Sequence, residues 1–299
     1  MAGGFSAIDM SLLPAPDLVQ PVEYEAALSA MLGELRARAP AFDALVESDP
    51  AFKLVELAAF FQTLTLQQIN DAGRAVMPAT ATGADLDNIA ARYGVARQVI
   101  DPGNPEALPP VPAVLESDDD FRRRMLVAFE GLTTAGSAGS YIFHALSAHP
   151  DIADASVESP APGEVLVTIL TRVADGSASP ELQASTLEVL SADDVRPLAD
   201  MVTVQSAAIT PYSIDASLTV LPGPDSEVAR SAAQEAAISY AAAQHRLGRD
   251  VTLSGIYAAL HRPGVQNVTL TSPAADIAIG NDGAAFCTGI SVTVGGSGV

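Results

Sequence analysis

Apolar residues recur at helical spacing along the first third of the chain. They predict helices over about 23–38 and 49–77, and a shorter one that opens after Thr82 and closes near Gly94. In the second of these, Asp49 is placed to cap, and Pro50 fits the first turn, where a missing N–H costs nothing. At about 100° per residue, Lys53, Glu56, Thr63, Gln67, Asn70, Asp71 and Arg74 share a polar arc, with Phe60 its one large apolar member. The remainder splits into two apolar stripes. Leu54, Leu57, Phe61 and Leu64 form one; Phe52, Val55, Ala59, Leu66, Ile69 and Val76 form the other. A helix on the surface of a self-contained domain needs one stripe, so two stripes imply two neighbours, as in a three-helix bundle. Tyr24, Leu28, Met31, Leu32 and Leu35 of the preceding helix can cover one stripe. No equally long helix elsewhere offers a third member. Either the helix is buried within its own domain, or a partner chain covers the second stripe. The candidate partner-binding residues are Phe52, Leu54, Val55, Leu57, Phe61, Leu64, Leu66 and Ile69.

Around this helical region the pattern changes. Residues 1–22 carry Pro14, Pro16 and Pro21 and little periodicity, and read as an extended arm. Five prolines between Ile100 and Ala113 mark a linker with polyproline II character. Ser117 can cap a helix reaching about Glu130, and a helix over 137–148 follows. Strands at Ile152–Glu158 and Val165–Thr171 flank a Pro162-Gly163 turn, and Pro180 opens a helix to Leu190. Strands are predicted at Met201–Ile209 and Ile214–Leu221, helices at Asp225–Gln244 and 252–261, strands at 265–271 and 288–294, and a loose tail over Gly295–Val299. Ser140–Leu146 resembles Ser254–Leu260, and each copy leads through a His and a Pro into a strand ending in Ser-Pro-Ala. Each copy reads as one helix docked on a β-hairpin. The expected fold is α+β: a helical, bundle-forming N-terminal region followed by two small α/β domains with a partial internal repeat. The divisions fall at 1–99 (arm and helices), 100–116 (linker), 117–210 and 211–299.

Composition narrows the function. The chain has 299 residues and a net charge of −21, from 36 acids against 15 bases. A phosphate backbone or an anionic membrane surface would repel it, so neither nucleic-acid binding nor membrane insertion is expected. One cysteine, Cys287, excludes an intrachain disulfide and a cysteine-rich metal site. The first ten residues do not form a secretory signal, and assembly in a cytoplasm is expected.

Catalytic patterns are missing. The four histidines, His144, His149, His245 and His261, have no nucleophile or carboxylate in a recognisable motif beside them. Asp118-Asp119-Asp120 lacks the alternating spacing of a calcium loop, and with Arg122-Arg123-Arg124 behind it reads as helix-dipole and ion-pair chemistry. No catalytic, cofactor or metal residue is assigned. The competing possibility is an α/β enzyme or glycan-binding module with a site between the repeats, using Tyr257, His261 and Asp276.

Several segments, in order, resemble the baseplate J-like proteins of contractile phage tails: Val46–Leu54, Ile69–Met77, Thr82–Ala90, Glu116–Arg124, Tyr141–Leu146, Ser159–Val165, Asp194–Leu198, His245–Asp250 and Cys287-Thr-Gly. The resemblance implies a structural wedge component of the virion baseplate. Two copies would join a smaller I-like tail wedge protein through a helical bundle. The C-terminal domains of neighbouring wedges would close a ring around the central spike. A small lysozyme-like-fold wedge protein would attach nearby, and triggering would pass through the ring to sheath contraction.

Overall fold

A computed structural model describes Leu13 and residues 20–133, 136–223 and 226–298. Nearly all of the expected arm therefore lies outside the described residues, as do Pro224, Asp225 and Val299. Contacts divide the described residues between Arg97 and Gln98 into two compact units.

The first unit is helical, with α1 (Tyr24–Arg38), α2 (Pro50–Ala75) and α3 (Gly83–Ala91). Helix α2 has 26 residues and is about 39 Å long at 1.5 Å per residue. Its start differs from expectation. The Asp49 carboxylate makes no bond into the helix and instead accepts from the Val46 N–H at 2.9 Å. Thr82 likewise makes no side-chain cap on α3. Gly94 does close α3, with φ +71°, and the Val95 N–H donates to the Ala90 carbonyl at 3.2 Å.

The second unit begins with a narrow arm. Strands β1 (Val99–Asp101) and β2 (Val114–Leu115) pair antiparallel, and Asn104 bridges Val111 further out. The proline-rich segment is thus folded back on itself and is not the extended, unpaired tether its composition suggests. The prolines crowd toward the tip, where missing N–H groups interrupt no long ladder. Helix α4 (Asp118–Leu126) follows, with the Ser117 hydroxyl accepting from the Asp120 N–H.

Two sheets carry the rest. The first contains α5 (Ala138–Ala148), β3 (Ile152–Glu158), β4 (Glu164–Thr171), α6 (Pro180–Leu190) and β5 (Met201–Ser206), in strand order β3-β4-β5. Strand β4 pairs antiparallel with β3 and parallel with β5. Val167 and Ile169 pack with Tyr141 of α5 and Leu190 of α6. Leu170, of opposite parity, is buried with Ala207 and Ala284 on the other face. The second contains β6 (Ala208–Val220), α7 (Ser226–Gln244), α8 (Leu253–Leu260), β7 (Val265–Ser272) and β8 (Gly283–Ser297), in order β7-β6-β8. Tyr212, Ile214, Ala216, Leu218 and Val220 alternate inward along β6 and share a core with Ala229, Ala233, Ala237 and Ala241, one stripe of α7. The small side chains of that stripe let the helix approach the sheet closely.

Both sheets have a central strand with one antiparallel and one parallel neighbour, so the repeat extends beyond its matching segment. The units occur in different order. The first domain runs α5-β3, then β4-α6, then β5. The second runs β6-α7, then α8-β7, then β8. The hairpin expected after α8 is therefore absent: β7 and β8 flank β6 and do not pair with each other. The expected loose tail is also ordered as far as Gly298, because β8 continues to Ser297 and the Gly298 N–H donates to the Val220 carbonyl.

Candidate partner-binding surface

Helix α2 divides its apolar residues between two opposite faces. Ala59 is completely buried, and Phe52, Val55 and Leu66 on the same side are half-buried. Helix α1 packs on α2, with Leu28 buried and Tyr24, Met31, Leu32 and Leu35 half-buried. The opposite face is open: Leu54 is 67% exposed and Phe61 56%, and Leu57 and Leu64 lie beside them. Phe60 stands edge-on to Phe61, with ring centroids 5.8 Å apart, and widens the exposed face. Ile69 and Val76 are exposed as well.

The eight candidate residues therefore separate. Leu54, Leu57, Phe61 and Leu64 form the open face, and Ile69 is exposed beside the inward stripe. Phe52, Val55 and Leu66 are half-buried on the side of Ala59. Part of the supposed polar arc also turns inward. Asn70 is 4% exposed, accepts from the Gln20 N–H at 3.0 Å and donates to the Gln20 carbonyl at 2.7 Å. Glu56 and Thr63 are half-buried, and the Thr63 hydroxyl donates to the Ala59 carbonyl. A residue that satisfies its polar atoms locally can lie at a packed face without the full burial penalty. Phe60 is exposed, as its place in the polar arc implies, and sets a second aromatic ring beside Phe61.

The other chemical candidates disperse. The Asp276 carboxylate accepts from the Leu253 N–H at the start of α8, while His261 caps its end. An eight-residue helix separates them by about 12 Å, so Tyr257, His261 and Asp276 do not converge. His144 contacts the Gly131 carbonyl, His149 accepts from the Asp151 N–H, and His245 contacts the Ala285 carbonyl at 2.7 Å. Among the described residues no group of three His, Cys, Asp or Glu could hold a metal ion. Among the described residues no helix is long and apolar enough to cross a membrane.

The acidic run is used internally. The Asp120 carboxylate accepts from Arg123 at 2.5 Å, from Arg246 at 2.7 Å and from Arg172. Burial opposes its ionisation, but Arg246, Arg172 and Arg123 outweigh that cost and hold it well below the usual carboxylate range. Arg124 forms a bidentate, buried pair with Glu116, at 3.0 and 2.6 Å.

With the apolar face as the prominent surface feature, likeness to known proteins supplies the context. Three family models match: the Baseplate J-like N-terminal domain at 47–104, the central domain at 133–206 and the C-terminal domain at 212–293. Baseplate protein J of Escherichia phage P2 is 47% identical over 97% of this chain and 98% of its own length. The chain belongs to the baseplate protein J family. It is a structural component of a phage tail baseplate. Among solved structures, a chain of the anti-feeding prophage baseplate, determined by cryo-EM with 6-fold symmetrisation, aligns at 18% identity and a TM-score of 0.42. That alignment covers 60% of this chain and 44% of the other. The N-terminal family model includes the whole of α2, so the exposed face lies within the family's N-terminal domain.

Proposed function

We propose that this chain is a wedge component of the baseplate, and that the open face of α2 is its seat in an intermolecular helical bundle. The observation that carries the reading is the row Leu54, Leu57, Phe61 and Leu64, exposed on a helix whose opposite side is already packed. Large apolar side chains in a contiguous row mark an interaction surface. The occupants that the family resemblance implies are a second copy and the smaller I-like wedge protein. The C-terminal half, about 131–294, closes a ring with neighbouring wedges around the spike, near a small lysozyme-like-fold protein, and passes triggering toward the sheath. The particle assembles in the host cytoplasm, and the protein's role is mechanical, without a catalytic step.

Co-purification with the I-like partner tests the bundle. Phe61→Asp and Leu64→Asp each place a charge in the seam, at a cost of about 3 kcal/mol. Both should abolish co-purification while leaving the circular dichroism of the chain unchanged. Retained binding by both variants would remove the bundle reading.

A further inference from the structure

The two sheets of the second unit touch through a small apolar patch and a dense set of polar ties. The patch is Leu170, Ala207 and Ala284, with Ile209 and Leu247 at its edge. Short aliphatic and alanine contacts are non-directional and leave one sheet free to slide against the other. The ties are directional, and they gather on two consecutive residues of the α7–α8 connection. Arg246 donates from one guanidinium nitrogen to Asp120 on α4 at 2.7 Å, and from the other to the Ala153 carbonyl of β3 at 2.8 Å. The next residue, Leu247, donates its N–H to the Asp154 carboxylate at 3.2 Å. Arg123 stands 3.7 Å from Asp154 and also bonds Asp120, joining the two acids. Arg172, anchored on the Pro150 carbonyl, completes the shell around Asp120. A further tie joins the Ser156 hydroxyl to the Asn281 carbonyl at 2.7 Å.

Beside this network, His245 reaches the turn after β4. A Cβ on Gly176 would lie 2.9 Å from the His245 ring and 2.5 Å from Leu170, and Gly176 has φ +97°. Only a glycine fits that conformation and that approach.

We infer that Asp120 is the keystone of a charge clasp that fixes the β6–β8 domain against α4 and the β3–β5 domain, so that the two domains move as one body. Arg246 reads a helix and a strand at once through its planar fork, which a lysine could not do. Buried ion pairs contribute little net stability against a well-packed apolar alternative, but they penalise every misaligned arrangement that strands a charge. The clasp therefore sets the geometry of the joint. It concerns this chain's own domains and stands whether or not the wedge reading holds.

Hydrogen exchange on the full chain tests it. The interface amides are that of Leu247, whose bond to Asp154 crosses the joint, and that of Ala207, a residue of the patch whose N–H closes the β4–β5 ladder on the Ile169 carbonyl. The reference amides are those of the β3–β4 and β6–β7 ladders. Arg246→Met keeps the aliphatic stem and leaves Asp120 two arginines; Gly176→Ala disturbs the same joint without altering charge. In both, the interface amides should exchange at least tenfold faster while the reference amides stay within twofold of the parent. Unchanged interface amides in Arg246→Met would overturn the clasp. Equal acceleration of both sets in the two variants would also overturn it, because the residues would then support general stability only.

Discussion

Phe61 and Asn70 lie on opposite sides of α2, and each occupies the place that its polarity argues against. Asn70 can be packed because its amide satisfies both backbone groups of Gln20. Phe61 is exposed because α1 has filled the other face. Phe61→Ser should therefore change the stability of the isolated chain by no more than about 0.5 kcal/mol. Ala59→Leu, at the closed face, should cost about 1–3 kcal/mol through overpacking; denaturant titration of the two variants separates the faces. Asp120 makes a second residue-scale prediction. Its folded pKa is depressed, so its stabilisation is fully present above the unfolded carboxylate value, near about pH 4. It is lost as pH falls through the folded value, where the native carboxylate is finally protonated. Asp120→Asn should cost on the order of 3 kcal/mol at neutral pH. It should also flatten the decline in stability below about pH 4, measured by denaturant titration across an acid series.

Among the elements, the proline-rich arm is the instructive case. Its prolines suggest a tether, yet the segment pairs β1 with β2, and its base is tied into the following domain. Gln98 makes these ties: its N–H donates to the Glu116 carboxylate, and its side-chain amide reaches the Leu146 carbonyl at 3.3 Å. Glu116 in turn holds Arg124, which is 5% exposed. A fragment beginning at Gln98 should fold cooperatively. One beginning at Ser117 discards Glu116 and deprives a buried guanidinium of its bidentate carboxylate, at a cost of about 3–5 kcal/mol. Thermal melts of the two fragments should show the longer one clearly more stable. Equal midpoints would show that the arm contributes nothing to the domain behind it.

For the whole molecule, the location of motion follows from where the ties are dense. Residues 98–298 are bound across both sheets by the clasp and the small apolar patch. A baseplate that changes shape on triggering would then move this half without bending it internally. Reconstructions of extended and contracted particles should superpose the β3–β5 and β6–β8 domains together, as one body, in both states. A rotation of one sheet relative to the other between the states would place the flexible joint inside this half.

The sequence by itself determined much of the local structure. The spacing of apolar residues located α1 and α2, the strand expected at Ile214–Leu221 falls along the second half of β6, and Ser117 announced the start of α4. The two stripes of α2 were legible because helical periodicity depends only on residues a few positions apart. The family resemblance was also legible, since it rests on the order of short segments along the chain. Tertiary structure alone decided which stripe α1 would cover, that the repeated units occur in exchanged order, and that β7 and β8 flank β6 without pairing. It also brought Arg246 to Asp120, a contact across 126 residues. Local patterns say which face of an element is apolar, but not which distant surface will meet it. That choice belongs to packing and to the pairing of buried charges, which act between residues that no sequence window contains together.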